Sequence, residues 1–232
     1  MFPVTILSSQ RTATNDVVVR LESERLVRLA KPGQYVHCAF DKNINKNKSV
    51  KPYFFSVNES SNMVELFFNA EMLEKDMASV LYVSEPCGEF FEPFLEDSMP
   101  VLVSDISGLP AIFFLADFVQ KKCNTQPLVL LFSKDNFPFT IKPSQFVVQN
   151  FPAGMLATCQ LLEDKKIPAR LISEMILPGC YDGSAGDFFD ELSDSFLKND
   201  RPFYIAGNQE FIDALNEKVE KNQLKVQFLL VE

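Results

Sequence analysis

The sequence predicts two units of different class, an N-terminal antiparallel β-barrel over residues 1–98 and a C-terminal α/β unit with a parallel sheet over residues 99–232. Three observations carry this. Up to about residue 98 the apolar residues alternate with a period of two, the signature of half-buried strands. From Pro100 onward, short β-branched runs alternate with longer amphipathic stretches, the order that builds a parallel sheet covered by helices. The stretch VLVSDISGLPAIFFLADF at 101–118 then gives the first strand, turn and helix in one reading.

In the first half, Val17, Val19 and Leu21 mark one strand, and similar runs recur at 33–40, 52–58 and 63–69. The segment DKNINKNK at 41–48 reads as a solvated loop between two of them. NAEMLEKDMASVLY at 69–82 reads as the one short helix of this half. In the second half, strands are expected at 101–104, 127–132, 145–149, 168–172, 202–206 and 225–231. Helices are expected at 109–122, 153–165, 186–197 and 208–222. Ligands of such a unit bind where strand C-termini meet helix N-termini, here at 104–110 and again at FYIAGNQEF, 203–211.

Composition narrows the function classes. A chain of 232 residues that is 47% hydrophobic and holds 23 phenylalanines has ample material for sizeable cores. The net charge of −9 and pI near 4.8 oppose nucleic acid and anionic lipid, so neither nucleic acid nor a membrane is expected as a partner. The N-terminal MFPVTILSSQRT lacks a charged leader, and no apolar run reaches membrane-spanning length. The five cysteines, Cys38, Cys87, Cys123, Cys159 and Cys180, are odd in number, scattered and without a CxxC pair, as expected of reduced thiols in a cytoplasmic protein. His37, the single histidine, lies in the alternating run QYVHCAF and has no metal-ligand spacing around it.

Several local strings resemble the ferredoxin-NADP reductase superfamily. KPGQYV at 31–36 is similar to the turn by which a barrel strand is entered there, EPCGEF at 85–90 to the loop at the barrel's exit, and YIAG at 204–207 to the strand before the last helix. PFTIKPSQ, QLLEDKKIPARL and LPGCYDG, all between Pro138 and Asp190, resemble more narrowly the bacterial electron-transfer subunits related to that of dihydroorotate dehydrogenase. The resemblance implies a ferredoxin reductase-like, flavin-dependent NAD(P)H oxidoreductase or electron-transfer subunit, with FAD on the barrel and NAD(P)H on the α/β unit. It also implies a protein electron-transfer or binding partner. Because KVQFLLVE closes the sequence where relatives continue into a cysteine cluster, no iron-sulfur cluster is expected.

The implied FAD contacts fall on Lys51, Pro52, Tyr53 and Ser56, in the string KPYFFS. Lys51 stands for the superfamily's arginine if Tyr53 is its aromatic residue, and Phe54 then replaces the serine. If Ser56 is that serine, Tyr53 falls where the cation belongs. The two alignments differ by two residues, so strand alternation does not choose between them. The second flavin contact, a glycine- and hydroxyl-bearing turn, corresponds to 69–74, which has neither and carries Glu71 and Glu74. The implied dinucleotide contacts fall on Gly108, Leu109, Pro110 and Gly207, with Asp182 and Gly183 bordering the crevice. In the first turn Ser104, Asp105 and Ile106 stand where the superfamily has glycines. Asp105 or Ser107 there reads as a helix cap, and Asp105 would repel a phosphate. The sequence thus predicts a reductase-type architecture with impaired nucleotide seats, or alternatively a non-catalytic relative that serves as a protein-binding module.

Overall fold

The computed structural model describes residues 1–40, 49–72, 80–92, 99–197 and 201–231, the side chains of 71 and 194 aside. The chain divides into two compact units, Met1–Phe90 and Phe91–Glu232. The expected loop at 41–48 lies outside the described residues.

The first unit is a six-stranded antiparallel sheet. Its strands are β1 (Phe2–Arg11), β2 (Val17–Glu22), β3 (Cys38–Ala39), β4 (Tyr53–Asn58), β5 (Met63–Phe68) and β6 (Val80–Val83), paired in the order β3-β6-β1-β2-β5-β4. The segment before β3 closes the sheet onto β4: Tyr35 bridges Tyr53, Cys38 bridges Val50, and Phe54 N–H donates to Gln34 O at 3.1 Å. Closure makes it a barrel, filled by Val19, Leu21, Val36, Phe54, Leu66, Phe68, Leu81 and Val83, all fully buried. Two elements escape the sequence reading. β1 is mostly exposed and has a bulge between Ile6 and Ser8, so its side chains do not alternate cleanly. The six-residue helix α1 (Glu24–Leu29) starts where Ser23 Oγ accepts the Leu26 N–H and buries only Leu26 and Val27. The helix expected at 69–82 is a single 3₁₀ turn at Ala70–Met72 and strand β6 at its far end; the residues between lie outside the described set.

The second unit has a six-stranded parallel sheet in the order β12-β11-β8-β7-β13-β14. These are β7 (Val101–Ser104), β8 (Leu128–Ser133), β11 (Ala169–Ser173), β12 (Tyr181–Asp182), β13 (Phe203–Gly207) and β14 (Val226–Leu230). One face buries Val101, Val103, Leu130, Phe132 and Ile205 against α4 (Ala185–Glu191), α5 (Asp194–Leu197) and α6 (Gln209–Asn222), with Phe188, Phe189 and Phe196 at the centre. The other face, which includes Leu102 and Tyr204, is covered by α2 (Leu109–Lys122), ten of whose residues are buried. The helix expected at 186–197 is broken, because Leu192 takes an extended conformation between α4 and α5.

The strand expected at 145–149 does not form, and the helix expected at 153–165 is reduced to a short piece at its C-terminal end. That region is instead a two-stranded antiparallel hairpin, β9 (Ile141–Pro143) with β10 (Ala157–Cys159), followed by the short α3 (Gln160–Asp164). The run QFVVQ is apolar, yet Val147 is 90% exposed. What fixes this stretch is polar. Glu163 carboxylate accepts Gln145 N–H at 2.6 Å and Ser144 Oγ–H at 3.2 Å, and Arg170 Nη2 donates to Phe146 O at 2.6 Å. Asn150 and Gly154, with φ of 65° and 87°, then turn the chain before a helix can begin. The sixth parallel strand is supplied by β12, within LPGCYDG.

Candidate functional site

In the barrel, two motif strings and the implied flavin string meet at Tyr35. Its backbone exchanges two hydrogen bonds with Cys87, at 3.0 and 2.9 Å, and bridges Tyr53 on its other side. Its ring packs 5.5 Å from the Tyr53 ring, and Lys51 Nζ lies 5.5 Å from its centroid. Gly88 is required by this ring: its φ is +89°, and a Cβ there would lie 2.6 Å from Tyr35 Cε1. Tyr35 and Gly88 were not among the residues singled out from the sequence; the convergence of KPGQYV and EPCGEF on one loop pair is what marks them.

The two alignments of KPYFFS are separated by a bulge. Phe54 pairs with Leu66 but Ser56 pairs with the next residue back, Glu65, so Phe55 is extra. Leu66 and Glu65 point to opposite faces, and their partners do as well. Phe54 is fully buried in the barrel, whereas Ser56 is on the outer face with Tyr53. The expectation that both alignments keep the same faces therefore fails. In neither is a hydroxyl available, because Ser56 Oγ donates to Glu65 Oε2 at 2.6 Å in a ladder continued by the Arg20–Glu65 ion pair. Pro52 is buried and accepts Val36 N–H at its carbonyl. On the 69–72 turn, Ala70 N–H is held by the buried Asp16 carboxylate at 3.0 Å and Met72 N–H by Asn69 Oδ1 at 3.1 Å.

In the second unit the strand order reverses between β7 and β13, whose following helices, α2 and α6, cover opposite faces of the sheet. Two strand-to-helix junctions meet there. α2 begins at Gly108, and α6 begins at Asn208, whose side chain accepts Phe211 N–H at 2.9 Å. Asp105 joins them. Its Oδ1 accepts Gly108 N–H at 2.9 Å and its Oδ2 accepts Asn208 N–H at 3.2 Å, with the Ser107 amide also directed at it. Asp105, expected as a cap of α2, is thus the N-cap of neither helix; it accepts the amides of the two cap residues themselves. Burial pushes its carboxyl above the ordinary carboxylate range, against the pull of the Gly108, Asn208 and Ser107 amides and of the Lys134 charge.

Gly108 and Gly207 are explained by the protein's own packing. A Cβ at Gly108 would lie 2.1 Å from Ala206 O, and one at Gly207 would lie 2.5 Å from Phe211 Cδ1 and 3.0 Å from Asp105 Oδ1. Leu109 and Pro110 are buried in the first turn of α2. The structure therefore brings Gly108, Leu109, Pro110 and Gly207 together. Asp182 and Gly183 are placed elsewhere: Asp182 ends the edge strand β12 and Gly183 follows it, with β11 and β8 between them and β7, and Gly183 N–H donates to Ser173 O.

No protein-family model and no curated protein matches the sequence. Solved structures do match. An NADH-dependent reduced ferredoxin-NADP oxidoreductase superposes with a TM-score of 0.70 at 13% identity, over 98% of this chain and 76% of that one. The ferredoxin reductase of carbazole 1,9a-dioxygenase gives 0.70 at 12% identity, over 98% and 68%. Ferredoxin-NADP+ reductase from Plasmodium falciparum gives 0.59 at 10% identity, over 98% and 95%. The chain has the ferredoxin-reductase fold. Within this reductase fold the switch point is the β7–β13 boundary, and the carboxylate found there belongs to the chain itself.

Thiol and metal chemistry find no support among the described residues. No group of three or more His, Cys, Asp and Glu side chains there could hold a metal ion, and no helix is long and apolar enough to cross a membrane. All five cysteines are free, and burial pushes the Cys159 thiol up to about 12 and Cys180 up to about 11, far from thiolate reactivity at neutral pH. His37 directly precedes β3, its Nδ1 2.8 Å from Ser49 Oγ and its N–H donating to Ser84 Oγ.

Proposed function

We propose that this protein is a reductase-type oxidoreductase of the flavin and NAD(P)H kind whose nucleotide seats are held closed by its own carboxylates. The observation that carries the reading is Asp105, which accepts the amides of both helix N-termini at the switch point, where an anionic ligand of this fold would dock. Asp16 does the same to the 69–72 turn of the barrel. The solved structures of the same fold include NADH-dependent and ferredoxin-linked reductases, which supports the general kind of activity and a protein partner for electron transfer.

On the barrel the residues fit a flavin in part. Lys51 offers a charge for a phosphate, without the bidentate fork of an arginine, and Tyr35 and Tyr53 offer aromatic surface. Bound there, FAD would supply the ring system that takes and releases electrons. The weakened seat predicts flavin below one per chain on purification, lost on dilution. The test is titration of the whole protein with FAD, followed by flavin fluorescence. Saturable binding is expected with a Kd of about micromolar order, weakened about fivefold by K51A, the loss of one exposed ionic contact. Absence of saturable binding at any FAD concentration sinks the flavin reading. It would favour the second reading, a non-catalytic protein-binding module, to which the occupied amides at 70, 108 and 208 also lend support.

A further inference from the structure

We propose that Asp105 is a tethered anion that keeps the switch-point seat shut while ionised and opens it when its charge is removed. The inference rests on the reductase-type reading and adds its regulation. The geometry is that of a bound anion supplied from within: one carboxylate, two oxygens, and one N–H from each of two different helix starts. Both helices are long enough, Leu109–Lys122 and Gln209–Asn222, to present a full N-terminal turn. A phosphate seeking the same amides meets a fixed like charge at contact distance. The residue before Asp105 is enclosed beneath α2. Ser104 is fully buried on the sheet face that α2 covers, and its hydroxyl has no hydrogen-bond partner among the described residues.

The charges around Asp105 determine what neutralisation does. Lys134, after β8, is the nearest cation, and it is paired at 2.7 Å with Glu210 of the first turn of α6. Glu174, after β11, also acts on Lys134. The first turn of α2, Leu109–Ile112, contributes no charge, nor does β13. The one charged side chain that acts on Asp105 among the described residues is therefore a lysine already shared with Glu210 and Glu174. Burial without a dedicated counter-charge also makes it titrate above an ordinary aspartate. Acidification removes the charge at the centre of the seat, while the phosphodiester groups of a dinucleotide stay anionic.

The test is calorimetric titration of the whole protein with NADP+, NAD+ and inorganic pyrophosphate across a pH series at constant ionic strength, for the unmodified chain and D105A. The unmodified chain is expected to bind weakly at neutral pH and about tenfold more tightly as the pH falls through the Asp105 titration, the fold-change of relieving one like-charge contact. D105A is expected to bind tightly at every pH, with no such slope. D105N, which retains an acceptor for one of the amides, serves as a second variant should D105A loosen the turn, and it predicts the same flat profile. Equal affinity of the unmodified chain and both variants at neutral pH overturns the gate. So does a pH slope that persists in D105A, since Glu174 and Glu210 would then be its source. If pyrophosphate follows the expected pattern and neither dinucleotide binds, the gate stands and the reductase-type reading fails.

Discussion

Replacing Gly108 by alanine is expected to lower the stability of the protein by about 3 kcal/mol or more, the upper range for overpacking a closed contact. The added Cβ would sit 2.1 Å from Ala206 O, 2.3 Å from Ala206 C and 2.7 Å from Ala206 Cβ. Two of these atoms are backbone of β13, in the middle of the parallel sheet, so no side-chain rotation relieves the clash. Either α2 lifts from the sheet or β13 shifts against β7, and α2 carries ten buried residues whose burial then suffers. Gly108 has φ of −78°, so the penalty is one of close approach and not of backbone conformation. Urea unfolding monitored by circular dichroism measures it. An unchanged midpoint would mean that the first turn of α2 is not seated against β13 as described.

A further loss is expected from E163A, about 1–3 kcal/mol, the cost of leaving the Gln145 N–H and Ser144 hydroxyl without their buried acceptor. Arg170 is 3% exposed and Glu163 7% exposed, at opposite ends of QLLEDKKIPARL. The guanidinium donates to Ala169 O and Phe146 O, while the carboxylate holds Gln145 N–H and Ser144 Oγ–H. Burial drives the Arg170 pKa down and Glu163 pulls it back up, so removal of Glu163 leaves a desolvated cation without its counter-charge. The double variant E163A/R170M should lose less than the sum of the two single changes, because Arg170 feels the Glu163 charge. Chemical denaturation of the three variants measures the coupling, and simple additivity of the two single changes would contradict it.

What could be read from the sequence was whatever is local. The antiparallel first half and parallel second half, the β7–α2 and β13–α6 junctions and the strings around Tyr35 each depend on residues close along the chain, and each appears in the structure. What could not be read depends on distant partners. QFVVQ has the composition of a strand, but it is tied down by Glu163 and Arg170, 18 and 24 residues further on, and its Val147 faces solvent. The bulge at Phe55 is a matter of pairing with β5, so alternation within KPYFFS could not reveal that Ser56 changes face. Asp105 was legible as a partner for the start of the helix that follows it, though it binds the Gly108 amide and is not the cap residue. Its bond to Asn208 spans 103 positions, and the Asp16 bond to Ala70 spans 54, so neither had a local signature. The retained glycines illustrate the same limit. Gly108 and Gly207 look like remnants of a phosphate loop, yet their surroundings alone, Ala206, Phe211 and Asp105, demand them.

The central claim is that one carboxylate holds the amides of two helix starts. The most direct test is nuclear magnetic resonance of the ¹⁵N-labelled protein over a pH series, following the backbone N–H signals of Ser107, Gly108 and Asn208. The three signals should move together with a single midpoint above the ordinary aspartate value of about 3.9, and the common transition should vanish in D105A. Movement of the Gly108 signal without that of Asn208, or a shared transition that survives D105A, would contradict the account.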